Sequence, residues 1–168
     1  MRDLMKEGFK LFQKILLLAN GYPNLEQSQK AAFSLAQNGR REIIALYIIN
    51  SAWDDILGDE WISDGKTLKE FHIYFEAGLK RKAETSLEDI RSKGTVNNIK
   101  VHGTIQRGNP EKLILSACAR LGTEGVFILP LLPKSADERI RVNAKKLINK
   151  TSCPILLVPE LKKHQDNN

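Results

Sequence analysis

Apolar residues fall along this chain in two alternating rhythms. Ile15 to Ala19 is a continuous apolar run closed by Asn20-Gly21-Tyr22-Pro23, and a short run apolar on both faces with Gly and Pro at its end predicts a buried strand. Such strands belong to parallel sheets covered by helices. From Leu25 to Asn38, Ala31, Ala32, Leu35 and Ala36 recur at helical spacing, and Asn38-Gly39 supplies a stop. Ile43 to Ile49 is β-branched and apolar, a second buried strand. Asn50 to Gly65 holds Trp53, Trp61 and the acidic pairs Asp54-Asp55 and Asp59-Glu60 without a sustained period, which predicts a loop with short helical turns.

The second half repeats the alternation. Phe71, Phe75, Leu79, Ala83, Leu87 and Ile90 lie three or four apart between Leu68 and Lys93, the pattern of a long amphipathic helix. Ile99, Val101 and Ile105 then alternate with Lys100, His102 and Gln106, as in a half-exposed strand at a sheet edge. Gly108-Asn109-Pro110 turns into a helix with Leu113, Ile114, Ala117, Cys118 and Leu121 on its buried face, Pro110 standing where a first-turn proline costs no hydrogen bond. Val126 to Leu129 predicts a fourth strand, Ala136 to Lys150 a basic helix carrying Ile140, Ala144, Leu147 and Ile148, and Ile155 to Val158 a fifth strand. Regular β-α alternation implies an α/β fold with a doubly wound parallel sheet, whose ligands bind outside the carboxyl ends of the strands at the switch point.

Composition narrows the function classes. With 168 residues, 42% hydrophobic and 27% charged, the expectation is one globular domain able to bury its own core. The segment 1–13 reads as an N-terminal extension with a helical apolar face (Leu4, Met5, Phe9, Phe12), 14–160 as the domain, and 161–168 as a polar tail. Neither a signal peptide nor an apolar run long enough for a membrane span is visible, so a cytoplasmic protein is expected. The net charge of +6 is spread over many segments without aromatic interleaving, a pattern that does not favour nucleic acid as a partner.

The usual catalytic constellations are missing. There is no G-x-S-x-G elbow, no P-loop and no G-x-G-x-x-G after the first strand. His72, His102 and His164 stand in a helix, a strand and the tail, away from a nucleophile. Cys118 and Cys153 have no metal-ligand spacing, and Cys118 reads as a buried thiol. The acidic pairs at 54–55 and 59–60 read as solvated loop charge, and Trp53 and Trp61 as lids on a core edge.

The order of elements, the long second helix, the Gly108-Asn109-Pro110 turn after the third strand and the ending Cys153-Pro154-Ile155-Leu156-Leu157-Val158 together resemble the universal stress protein (UspA-like) family. The resemblance covers roughly Gln13 to Glu160 and implies flavodoxin-like layering, strand order 3-2-1-4-5 and a homodimer along the fifth strands, with Ile155, Leu156, Leu157 and Val158 at the contact. It also implies a nucleotide cleft at Asn20, Ile48, Pro130 and Arg141. In ATP-binding members an acidic residue ends the first strand and G-x2-G-x9-G-S/T runs from the fourth strand into the last helix. Here Asn20 holds the acidic position, the fourth strand runs into Pro130-Leu131-Leu132-Pro133, Arg141-Val142 replaces Gly-Ser, and no glycine follows Gly125.

That loss has a physical meaning. Glycine lets backbone N–H groups approach phosphates in conformations that other residues resist, and proline removes a donor altogether. The expected function is therefore a non-catalytic stress-response or signalling module acting through dimerisation and contact with a protein partner, with no cofactor or metal. The alternative is a nucleotide-binding protein that holds ATP or AMP in an atypical phosphate site, built from cations such as Lys134, Arg139 and Arg141.

Overall fold

A computed structural model describes residues 12–20, 25–37, 41–52, 65–131 and 142–159. The strands are β1 (Lys14–Leu18), β2 (Glu42–Asn50), β3 (Val101–Gly108), β4 (Gly125–Pro130) and β5 (Ile155–Val158), and the helices α1 (Leu25–Gln37), α2 (Gly65–Val96), α3 (Pro110–Leu121) and α4 (Ala144–Lys150). All strand pairs are parallel, and the sheet order is β3-β2-β1-β4-β5.

The strict two-residue period of a strand divides the core in two. Ile15, Leu17, Ala19, Ile43, Ala45, Val126 and Ile128 pack with Ala32 and Ala36 of α1 and Ala83, Leu87 and Ile90 of α2. On the opposite face, Leu16, Leu18, Leu46, Ile48, Phe127 and Leu129 pack with Ile114 and Cys118 of α3, Leu147 of α4 and Cys153. Because both faces are covered, β4 is buried at every position and β1 at every position after Lys14. Each fully buried Leu or Ile contributes about 1.5–3 kcal/mol.

The chain turns by caps that the sequence supplies. Gly108 takes φ 149, a conformation that favours glycine, and Asn109 then caps α3 by accepting a hydrogen bond from the Lys112 N–H. Asn143 does the same for α4 through Lys146 N–H. This corrects the expected helix from Ala136 to Lys150: Asn143 is extended (φ −75, ψ 101), so α4 begins at Ala144. Its apolar face is narrower too, since Leu147 is buried while Ile148 is half exposed.

Helix α2 outruns the sheet. At 1.5 Å per residue its 32 residues span about 48 Å, against about 30 Å for β2, the longest strand. Gly94 sits so close to β3 that a Cβ there would lie 2.5 Å from Val101 Cγ2 and 2.8 Å from the Ile99 carbonyl. Further along, Glu76 meets Arg107 near the end of β3 at 2.8 Å. The turns before Glu76 therefore project past the carboxyl end of β3, and Phe71, which the periodicity assigns to the buried face, is 44% exposed.

Residues 1–11 of the expected N-terminal extension (1–13), residues 53–64 of the expected loop from Asn50 to Gly65 and the tail (161–168) lie outside the described residues. No helix among the described residues is long and apolar enough to cross a membrane.

Candidate functional site

The strand order reverses between β1 and β4, which makes their carboxyl ends the switch point. Leu17 is level with Ile128 and Leu18 with Leu46. Continuing those registers brings Asn20 beside Ile48 and Ala19 beside Pro130. Three of the four residues assigned to the cleft thus converge, while Arg141 lies outside the described residues.

Their polar groups are spent on one another. Ala19 N–H donates to the Leu46 carbonyl (2.8 Å), continuing the ladder. The Asn20 side chain then forms the next rung: its Nδ2 donates to Ile48 O at 2.6 Å and its Oδ1 accepts from Ile48 N–H at 2.8 Å. Such a two-point clamp needs one donor and one acceptor, which asparagine has and an ionised aspartate lacks. An aspartate at position 20 would set an anionic oxygen against the Ile48 carbonyl. The Ala19 carbonyl is also engaged, accepting from Ser86 Oγ of α2.

The β4 side of the cleft is as poor in donors. Pro130 has no N–H, and Leu131 N–H donates to the Val158 carbonyl at 2.9 Å. Pro130 and Leu131 thus leave no backbone donor directed at the cleft. Among the described residues, the Leu131 side chain beside Pro130 is 37% exposed.

Helix α1 also buries a polar group on its inward face. Ser28, on the first turns of α1, is 1% exposed, and its hydroxyl has no hydrogen-bond partner. Beside it, the buried Gln29 accepts from Lys93 Nζ of α2 at 2.8 Å. Stepping back by four from Ala36 and Ala32 reaches Ser28, so the inward line of α1 was present in the spacing, but only its apolar members were read.

The other chemistry-bearing residues do not assemble. His72 lies in α2 and His102 in β3, and no group of three or more potential metal ligands occurs among the described residues. His102 and Lys100 instead hold Glu42 at 3.2 and 3.0 Å, at the amino ends of the strands. The bond from Lys100, with a smaller contribution from His102, keeps the Glu42 carboxyl below its usual value. Burial pushes the Cys118 thiol up to about 12, with Cys153 nearby adding to it, and burial raises Cys153 as well. Neither is a ready nucleophile at neutral pH.

At the far edge, Ile155 packs on the α3 and α4 side, Val158 is 8% exposed on the other, and Leu156 and Leu157 are 39% and 41% exposed. β5 therefore shows apolar surface on both sides, and among the described residues no strand pairs with its outer edge.

Comparison with known proteins bears directly on this sheet. The chain superposes on the solved structure of hypothetical protein MJ0577 with a TM-score of 0.72, covering 91% of this chain and 99% of that one at 19% identity. In sequence it is 20% identical over 165 residues to universal stress protein MJ0531 of Methanocaldococcus jannaschii, spanning 97% of this chain and 91% of that protein. The fold is that of the universal stress proteins. The near full-length match to a curated member supports placing the chain with the UspA-like proteins, although no family model matches it. A universal stress protein family structure from Arabidopsis thaliana, solved with AMP bound, aligns over 89% of this chain and 92% of its own with a TM-score of 0.59 at 10% identity. The universal stress protein fold thus accounts for the sheet order and the two helical layers.

Proposed function

We propose that this universal stress protein-like chain is a non-catalytic stress-response or signalling module of the cytoplasm. It works as a homodimer joined through β5 and by contact with a protein partner, without holding ATP. The observation that carries this reading is the Asn20–Ile48 clamp: the Asn20 amide and the Ile48 backbone bond each other and complete the sheet rather than face a ligand. Pro130, and Leu131 bonded to Val158, remove the backbone donors that a triphosphate needs. A metal-bridged phosphate has no carboxylate at position 20 to hold its cation.

A second reading keeps a small nucleotide in the cleft. The AMP held by the Arabidopsis structure favours it. AMP makes smaller demands on phosphate donors than ATP does, so the two nucleotides separate the readings.

Calorimetric titration with ATP, AMP and cyclic AMP, with and without magnesium, tests both. No ATP binding tighter than about 10 μM, or about 7 kcal/mol, is expected. Tighter ATP binding, or ATP copurifying with the protein, overturns the first reading. Binding of AMP alone establishes the second.

A further inference from the structure

We propose that the overhanging first half of α2 is a second two-fold contact between copies of this chain, distinct from the β5 edge, in which Phe71 of each copy seats over Gly78 of the other. Phe71, Tyr74 and Gly78 stand at i, i+3 and i+7 and so share one face of the helix. Phe71 is 44% and Tyr74 80% exposed. Phe75 turns inward and stacks on Phe71, ring centroids 6.2 Å apart, which holds the Phe71 ring in place.

Gly78 gives this face its shape. A Cβ at Gly78 would meet no atom within 4 Å, so the chain's own packing does not ask for glycine there. Mid-helix glycine weakens a helix, and its presence leaves a notch beside two exposed aromatic rings. Bump and notch lie seven residues apart on one face, so an antiparallel copy brings each bump to the other's notch about a two-fold axis between positions 74 and 75.

Charge agrees with that register. Glu70 and Arg81 flank the same side of the seam, and neither has an ion pair among the described residues. Antiparallel pairing sets Glu70 of one copy near Arg81 of the other, twice by symmetry. The seam from Thr67 to Lys82 is about 24 Å long, too short for a large interface by itself. It fits a weak contact, independent of the β5 edge, that a covalent cross-linker can capture.

The test uses the full chain carrying Tyr74→Cys, with Lys80→Cys on the opposite face as control, and a short bis-maleimide. Cys118 and Cys153 are buried and add little background. The expected result is a covalent dimer from Tyr74→Cys but not from Lys80→Cys, lost when Gly78→Leu is added, because leucine fills the notch while the open space there leaves the fold intact. Thermal melting confirms that Gly78→Leu is folded. Equal cross-linking at 74 and 80, or a cross-link indifferent to Gly78→Leu, overturns the proposal. Repeating the experiment with Leu156→Glu and Leu157→Glu separates the two contacts: the seam cross-link persists there, whereas the native mass halves if β5 pairing is real and stays unchanged if it is not.

Discussion

The two edges of this sheet are built in opposite ways. β3 is eight residues long and guarded at several points: Lys100 and His102 hold Glu42, Arg107 meets Glu76, and Arg91 of α2 reaches across to the Gly103 carbonyl at 3.3 Å. β5 is four residues long, carries no charged side chain and exposes Leu156 and Leu157. Charge, side-chain caps and a covering helix are the usual means of preventing edge-to-edge pairing. Among the described residues such devices are present on β3 and absent from β5, a contrast that agrees with the proposed pairing of β5 with a second copy.

The strongest way to break this contrast is to pry the guard off β3. Gly94→Val forces a branched side chain into a space where even a Cβ would meet Val101 and the Ile99 carbonyl, and should cost about 3 kcal/mol, read by urea unfolding. Charging the open edge comes next. Leu156→Glu with Leu157→Glu should weaken the dimer at least about 100-fold, or about 2.7 kcal/mol, giving a monomeric mass by light scattering at micromolar concentration. Gln106→Glu on β3 should leave the mass unchanged.

A smaller effect is expected midway between the edges. Asn20→Ala strands the Ile48 N–H and carbonyl and should cost about 1–2 kcal/mol in urea unfolding without changing the mass. The smallest concerns the β3 guard itself. The Glu42 pKa is lower in the folded chain than its usual value, so its contribution is present above the unfolded pKa and is lost as pH falls through the folded one. The pair is largely exposed, and Glu42→Gln should cost at most about 0.5 kcal/mol at pH 7. Urea midpoints of the two proteins should converge on acidification below about pH 5.

Much of the layered fold was legible because parallel strands buried on both faces write uninterrupted apolar runs, as Ile15 to Ala19 and Val126 to Leu129 do. The start of α4 was not, because the helical spacing of Ile140, Ala144 and Leu147 runs straight through Asn143, and a cap shows itself only in backbone angles. Phe71 was assigned to the core because periodicity reports a helix face without reporting where the sheet beneath it ends. In the cleft, the loss of glycines and the arrival of Pro130 could be read residue by residue. The clamp could not: it joins Asn20 to a backbone 28 positions away, and a sequence names a side chain's capacity to bond, not its partner. For Ser28 the spacing of Ala32 and Ala36 gives its place on the inward line of α1, but not that its hydroxyl is left without a partner among the described residues.

The rung between Asn20 and Ile48 differs from every other rung of the β1–β2 ladder in what must move to open it. A backbone rung yields only when strands separate, whereas this one hangs on a side chain that can swing by rotation about χ1. Release would bare one donor and one acceptor on Ile48 and a free carboxamide, all within the same cleft and without unfolding the sheet. Amide exchange at Ile48 should therefore follow local fluctuation rather than global unfolding. Any molecule that takes the place of Asn20 must present a donor and an acceptor side by side, as an amide or the edge of a heterocyclic base does.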